Sequence, residues 1–117
     1  MTIKIKRIYE PFMKSDGYRV LVDRLWPRGI KTNDAHIDTW MKGVAPSTVL
    51  RKWFDHDPEK WTRFIKKYKD ELKGSLSFEE LISLIRKHKL VTLVYAAKDE
   101  QYNQAMALKQ FIIDSIA

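Results

Sequence analysis

A strict alternation of isoleucine and lysine marks the start of the chain. In TIKIKRI, Ile3 and Ile5 alternate with Lys4 and Lys6, and a period of two with β-branched residues predicts a strand with one exposed face. Such a strand is typical of a sheet edge, where lysine also discourages pairing with another chain. The segment YEPFMKSDG then predicts a loop, because Pro11 and the Asp-Gly pair favour turns.

Two apolar runs predict central strands. Residues 18–24, YRVLVDR, and residues 90–97, LVTLVYAA, show little alternation, which is typical of strands buried on both faces. Arg19 is the exception in the first run, and we expect it at the rim of the sheet. Residues 26–45 show no sustained apolar period, neither that of a strand nor that of a helix. Within this stretch, residues 37–41 are compatible with either a brief strand or one helical turn.

Four segments carry the apolar period of an amphipathic helix. They are residues 45–55, residues 57–74, residues 77–89 and the segment that follows KDE at residues 98–100. Asp57 is suited to cap the second helix and Gly74 to end it. Ser77 and Glu80 have the spacing of a capping box at the start of the third.

Helices between two central strands favour an α/β fold with a small mixed or mainly parallel sheet and about four helices. The chain has 117 residues with no repeat, linker or low-complexity tract. We therefore expect a single domain that spans residues 1–117.

Composition narrows the possible chemistry. Cysteine is absent, which excludes disulfides, thiolate metal sites and a cysteine nucleophile and fits a reducing compartment. No apolar run approaches the roughly 20 residues of a membrane helix, and the N-terminus lacks the apolar core of a signal peptide. We expect a cytoplasmic protein without membrane contact. No metal-ligand spacing joins the three histidines, and we expect neither a metal nor a cofactor.

The net charge of +7 favours anionic partners without naming one. Much of it falls on the second helix, whose basic residues are Lys60, Arg63, Lys66, Lys67, Lys69 and Lys73, partly offset by Glu59, Asp70 and Glu71. A solvated face is the favoured interpretation of this pattern. Nucleic-acid binding stays open as an alternative, although no base-reading motif is visible. A non-catalytic interaction module, either a monomer or a homodimer through the edge strand, is a further alternative.

Charged residues follow both central strands and define the candidate site. In open α/β sheets, ligands bind beyond the carboxyl ends of the strands, so parallel neighbouring strands would bring these residues to one rim. The candidate ligand-binding residues are Arg24, Trp26, Arg28, Lys42, Lys98 and Asn103, and the candidate acid–base residues are Asp23 and Asp99.

The residue types at this rim favour a small anion. Arginine suits bidentate binding of a carboxylate or phosphate, and Trp26 has a face on which a flat ring can stack. A carboxylate at a buried strand end tends to have a shifted pKa, as an acid–base group requires. The sequence therefore predicts binding of a phosphate- or carboxylate-bearing ligand, with nucleotides among the candidates. The structural alternative is that Asp23 only pairs with Arg24 or a helix end, and that Asp99 only caps the last helix.

Three segments, VLVDRLWPRGI, APSTVLRKWFDHDPEKWTRF and VTLVYAAKDEQYNQA, resemble the YeaO-like branch of the bacterial family known as domain of unknown function 488. The resemblance implies a small cytoplasmic α/β domain with three layers and no known reaction. Looser branches often carry Cys-His-Arg after the late strand, where this chain has YNQA, so cysteine-dependent chemistry is not implied. The matching positions include Asp23, Arg24, Trp26, Pro27, Arg28, Gly29, Lys42, Ala45, Pro46, Ser47, Arg51, Trp53, His56, Asp57, Lys98, Asp99 and Asn103.

Overall fold

The chain folds as a four-stranded sheet with five α-helices, in a computed structural model that describes residues 1–116. The strands are β1 (Thr2–Arg7), β2 (Tyr18–Leu21), β3 (Thr39–Trp40) and β4 (Leu90–Tyr95). The helices are α1 (Thr32–Ala35), α2 (Thr48–Phe54), α3 (Trp61–Leu72), α4 (Leu76–Lys87) and α5 (Gln104–Ile116). Short 3₁₀ helices lie at Lys14–Asp16, Lys42–Val44 and Pro58–Lys60. The predicted α/β fold is confirmed.

All strand pairs of this sheet are parallel, in the order β1-β4-β2-β3. The pairing of β1 with β4 runs from Thr2 beside Leu90 to Arg7 beside Tyr95. β1 is therefore an edge strand, as its alternating pattern predicts. β2 lies directly beside β4, so the carboxyl ends of these two strands meet at the same edge of the sheet.

The two faces of the sheet are covered differently, because successive side chains of a strand point to opposite sides. Val20 and Leu93 belong to the larger core cluster, which includes residues of α2, α3, α4 and α5. Leu21 and Val94 belong to a smaller cluster with Ala35 of α1, flanked by residues of the long loop between β2 and β3. That loop therefore serves as the cover of the second face.

Arg19 does not lie at the rim, contrary to expectation, and is only 2% exposed. Its guanidinium forms an ion pair with Asp16 at 2.6 Å and donates hydrogen bonds to the carbonyl oxygens of Ala35 and His36. Arg19 is the second residue of β2, and its side chain points toward the face that the loop between β2 and β3 covers. There Asp16 compensates the charge of the guanidinium. Arg19 therefore anchors the loop that covers this face.

The predicted capping box at Ser77 is also wrong. Ser75 caps α4, since its hydroxyl accepts a hydrogen bond from the Phe78 N–H at 3.2 Å. The chain turns at Gly74, where φ is +70°, so the helix begins one residue before Ser77. The side chain of Ser77 instead lies against Gly43, where an added Cβ would come within 2.2 Å of its hydroxyl oxygen.

Candidate functional site

A cavity of about 540 Å³ lies beyond the carboxyl ends of β2 and β4. Its volume falls in the range of small-molecule sites, about 300–1,000 Å³. Four parts of the chain form most of its wall: the segment after β2, the residues before α2, α2 with the following turn, and the connection from β4 to α5. The lining residues are Tyr9, Asp23, Arg24, Leu25, Trp26, Pro27, Arg28, Ala45, Pro46, Arg51, Lys52, Phe54, Asp55, His56, Phe64, Ala96, Ala97, Tyr102, Asn103 and Gln104.

Asp23 joins the two strand ends at this cavity. One carboxylate oxygen accepts a hydrogen bond from the Ala96 N–H at 3.1 Å, and the other accepts one from the side-chain amide of Gln104. Its backbone carbonyl accepts a hydrogen bond from the Trp40 indole at 2.7 Å. Asp23 is thus bound to the first residue of α5 and not to Arg24.

Burial dominates the acidity of Asp23. It raises the pKa of the carboxyl to about 6, although the Ala96 N–H, the charge of Arg51 and the Gln104 amide each act to lower it. A carboxyl with this pKa is mostly ionised at pH 7 and gains a proton under mildly acidic conditions. This is the range in which acid–base groups of functional sites commonly titrate.

Three arginines from separate positions line the cavity: Arg24, Arg28 and Arg51. The Arg24 guanidinium is held in place, because it donates hydrogen bonds to the carbonyl oxygens of Pro46 at 3.2 Å and Ala45 at 3.1 Å. Arg28 and Arg51 are exposed. Among residues 1–116, the ion pairs are those of Asp16 with Lys6 and Arg19, so none of the three arginines forms an ion pair there.

Trp26 lines the cavity and Lys42 does not. The indole N–H of Trp26 donates to the carbonyl oxygen of Ile30 at 2.7 Å, and its ring packs edge-to-face on Trp40 at a centroid distance of 5.3 Å. The ammonium of Lys42 lies 4.1 Å from the centroid of the Trp40 ring. Lys98 is exposed and also outside the lining. Four of the six candidate ligand-binding residues therefore meet at the cavity.

Asp99 and Asn103 organise the entry into α5. The Asp99 carboxylate accepts hydrogen bonds from the N–H groups of Gln101 and Tyr102, both at 2.9 Å, and these bonds lower its pKa. Asn103 is 2% exposed and accepts from the Met106 N–H at 3.0 Å. Asn103 is therefore the N-cap of α5. Of the two candidate acid–base residues, Asp23 lines the cavity and Asp99 does not.

Arg51 and Gln104 are site residues that the sequence pattern does not single out. Arg51 lies at a position of α2 that the apolar period assigns to the solvent side, and Gln104 is a half-buried polar residue at the first position of α5. The sequence signal for both is that they fall in segments that resemble the family. Within residues 1–116, no three His, Asp or Glu side chains group in a way that would hold a metal ion, and no helix has the length and apolar character to cross a membrane.

Comparisons with known proteins identify the family. The family model described as the inactive DUF488-N3 subclade matches residues 2–117. YeaO from Escherichia coli K12 is 42% identical over 112 residues, which are 96% of this chain and 97% of that protein. Rv3073c from Mycobacterium tuberculosis H37Rv is 39% identical over 110 residues, 94% of this chain and 92% of that protein. Both relatives are described as uncharacterized, and no solved structure matches. The chain therefore belongs to the DUF488 family, in the subclade described as inactive DUF488-N3.

Proposed function

We propose that this protein binds a small anionic ligand, bearing a phosphate or a carboxylate, in the cavity beyond β2 and β4. The observation that carries the proposal is the presence of three arginines in one cavity wall, none of them in an ion pair among residues 1–116. Like charges gathered beside a partly buried surface repel one another, and an anion between them removes that cost. Arginine also offers the planar pair of N–H donors that carboxylates and phosphates accept.

Arg24 is the best prepared of the three to receive an anion. Its two hydrogen bonds to backbone carbonyls fix the plane of the guanidinium before any ligand arrives. A guanidinium has five N–H donors, so several stay available for the ligand. Fixing a donor in advance reduces the conformational entropy that binding would otherwise cost.

Asp23 makes the proposed ligand more than a simple anion. Its carboxylate is ionised at neutral pH, so the anionic group binds on the arginine side of the cavity and not beside Asp23, while each Asp23 oxygen still has acceptor capacity beyond the bonds from Ala96 and Gln104. We therefore expect the ligand to carry a hydroxyl or amino donor as well as its anionic group. Sugar phosphates, nucleotides and hydroxy- or amino-carboxylates meet this requirement. Such a ligand would be a cytoplasmic metabolite, a location that the lack of cysteine supports.

Binding without turnover is the form of this function that we favour. The family is described as an inactive subclade, and Asp99, the second candidate acid–base residue, is outside the cavity lining. Asp23 has its oxygens engaged by Ala96 and Gln104. These contacts suit a carboxylate that positions a ligand.

A thermal-shift screen tests the proposal. Candidate compounds are inorganic phosphate, sugar phosphates, nucleoside monophosphates and small hydroxy-carboxylates. A ligand present at 100 times its Kd stabilises the folded state by about 2.7 kcal/mol, which is a rise of several degrees in Tm for a domain of this size.

Matched arginine variants make the screen specific. We expect Arg24→Gln and Arg51→Gln to lose most of the shift, because each removes one cation from the cavity. Arg86→Gln removes the same charge from an exposed position on α4 and should keep the shift. Equal shifts in all of these proteins would rule out the cavity as the binding site.

A further inference from the structure

A second group of cations surrounds Trp53, outside the cavity wall. The charged groups of Lys60, Arg63 and Lys67 lie 5.2, 5.4 and 5.1 Å from the centroid of the Trp53 ring. Lys60 also donates a hydrogen bond to the Trp53 carbonyl oxygen at 2.8 Å. The indole thus gathers three positive charges through cation–π contacts between α2 and α3.

These three cations are not neutralised within the part of the chain that the structure describes. The ion pairs among residues 1–116 involve only Asp16 and its two basic partners. Two carboxylates of this region are engaged elsewhere: Glu71 accepts hydrogen bonds from the N–H and hydroxyl of Ser47, and Asp57 accepts one from the Glu59 N–H. Because each cation lies close to one ring centroid, their separations are comparable to the Debye length of about 8 Å at physiological salt. They therefore repel one another in the absence of an anionic partner.

The charges continue in rows along α3. Lys60, Arg63 and Lys67 are spaced by three and four residues, and so are Lys66, Lys69 and Lys73. Residues at these spacings lie on one side of a helix, and seven residues of helix extend about 10 Å. The exposed side of α3 thus carries a linear array of cations, with Asp70 and Glu71 as the acidic residues near its C-terminal end.

We propose that this basic surface, formed by Trp53, Lys60, Arg63, Lys66 and Lys67, binds the phosphodiester backbone of a nucleic acid without reading its sequence. A linear array of cations suits a linear polyanion better than it suits a compact anion. Contacts to phosphates alone fix position but carry no sequence information. The proposal is independent of the cavity, since none of these five residues lines it.

A membrane surface is the less favoured partner. Helices that lie in a lipid interface insert an apolar face among the acyl chains. The apolar side of α3 is already used in the core, where Phe64, Tyr68 and Leu72 are buried. The exposed side of α3 therefore offers charge to a partner and little apolar surface.

Fluorescence anisotropy with a labelled single-stranded oligonucleotide tests this inference, over a salt series from about 50 to 200 mM. The site variant is the triple substitution Arg63→Gln, Lys66→Gln and Lys67→Gln. The control removes the same charge by substituting glutamine for Arg86, Lys87 and Lys89, which are exposed at the far end of α4. Circular dichroism melting of both variants establishes that each is folded.

We expect measurable binding at low salt that weakens as salt rises. Each single-strand phosphate contact contributes about 0.7 to the slope of log affinity against log salt, so the site variant should lower the slope by about 2. The α4 control should leave it close to the wild-type value. In an NMR titration, the indole signal assigned by Trp53→Phe should move with added oligonucleotide.

Three results would overturn the inference: no binding of the wild type at low salt, an equal loss in both triple variants, or binding to anionic lipid vesicles but not to the oligonucleotide. If the triple variant does not melt cooperatively, the single variant Lys67→Gln is used as the site variant instead. This variant is expected to lower the slope by about 0.7, and an unchanged slope would contradict the inference.

Discussion

Asp23 and Gln104 are 81 positions apart in the chain, yet their side chains are hydrogen bonded at the cavity wall. The contact exists because β2 and β4 are parallel neighbours, so the residue that follows one strand meets the helix that follows the other. The Ala96 N–H completes the link at 3.1 Å. Asp23 is thus both a lining residue of the cavity and a connection between the two halves of its wall.

The stability of the protein should depend on the protonation of Asp23. The folded pKa is raised to about 6 from the ordinary 3.8, so the folded state binds this proton more tightly than the unfolded state does. Stability relative to an Asp23→Asn variant is therefore highest near pH 4 and falls as the pH rises to about 6. A shift of this size is worth about 3 kcal/mol as an upper value.

Urea unfolding of both proteins between pH 4 and pH 8 checks this expectation. Other titrating groups are common to the two chains and cancel in the difference. A difference in unfolding free energy that stays flat across this range would show that Asp23 is not destabilised by burial.

The buried ion pair of Asp16 should be essential to the fold. Asp16 accepts from Arg19 at 2.6 Å and from Lys6 at 3.1 Å, and Arg19 is almost completely buried. Asp16→Asn leaves the Arg19 charge without its counterion, a change that typically costs about 3–5 kcal/mol. Denaturant unfolding of this variant measures the loss. Asp34→Asn, at an exposed position of α1, should change stability by less than about 0.5 kcal/mol.

Gly17 should tolerate alanine less well than Gly74 does. Both have positive φ, +67° and +70°, which costs an L-residue about 1–2 kcal/mol. At Gly17 an added Cβ would also lie 2.5 Å from the Leu90 carbonyl oxygen, whereas at Gly74 it would meet nothing within 4 Å. We expect the Tm of Gly17→Ala to fall well below that of Gly74→Ala. Similar melting temperatures would mean that the loop before β2 can move away from β4.

The Tyr68 hydroxyl should stabilise the turn before α2. It donates a hydrogen bond to the Val44 carbonyl oxygen, and both residues are fully buried. Tyr68→Phe leaves that carbonyl without its partner, which costs about 1–3 kcal/mol. Guanidinium unfolding measures this loss. Tyr102→Phe is the comparison, because Tyr102 is only half-buried and its hydroxyl bonds to no residue among 1–116, and it should unfold like the wild type.

Much of the fold is predictable because its signals are local. The alternation that marks β1 and the cap at Asp57 depend on neighbouring residues alone. Asp57 caps the 3₁₀ helix Pro58–Lys60, which leads directly into α3. β3 consists of only Thr39 and Trp40, which are extended because they pair with Val20 and Leu21. A strand of two residues is too short for its own sequence to show a strand period, and its conformation depends on the strand beside it. For this reason the pattern of residues 37–41 is compatible with a strand and with a helical turn.

The site is predictable where a strand leads into it. Asp23 and Arg24 follow β2 directly, so the pattern of that strand points to them. Arg51 is one of several polar residues on the exposed side of α2, and Gln104 is a polar residue at the start of α5. Only the packing of these two helices beside the strand ends makes the two residues part of the wall. Lys98 follows β4 as Asp23 follows β2, but the turn held by Asp99 leaves Lys98 in solvent.

The most direct test of the cavity is a crystal structure of the protein soaked in selenate, whose selenium atom is visible by anomalous scattering. We predict an anomalous peak inside the cavity, with selenate oxygens within hydrogen-bond distance of the Arg24 and Arg51 guanidinium groups. The Arg24→Gln variant treated in the same way should lack this peak. Selenate that binds only at the surface around Trp53, or that leaves the cavity empty at saturating concentration, would contradict the proposed anion site.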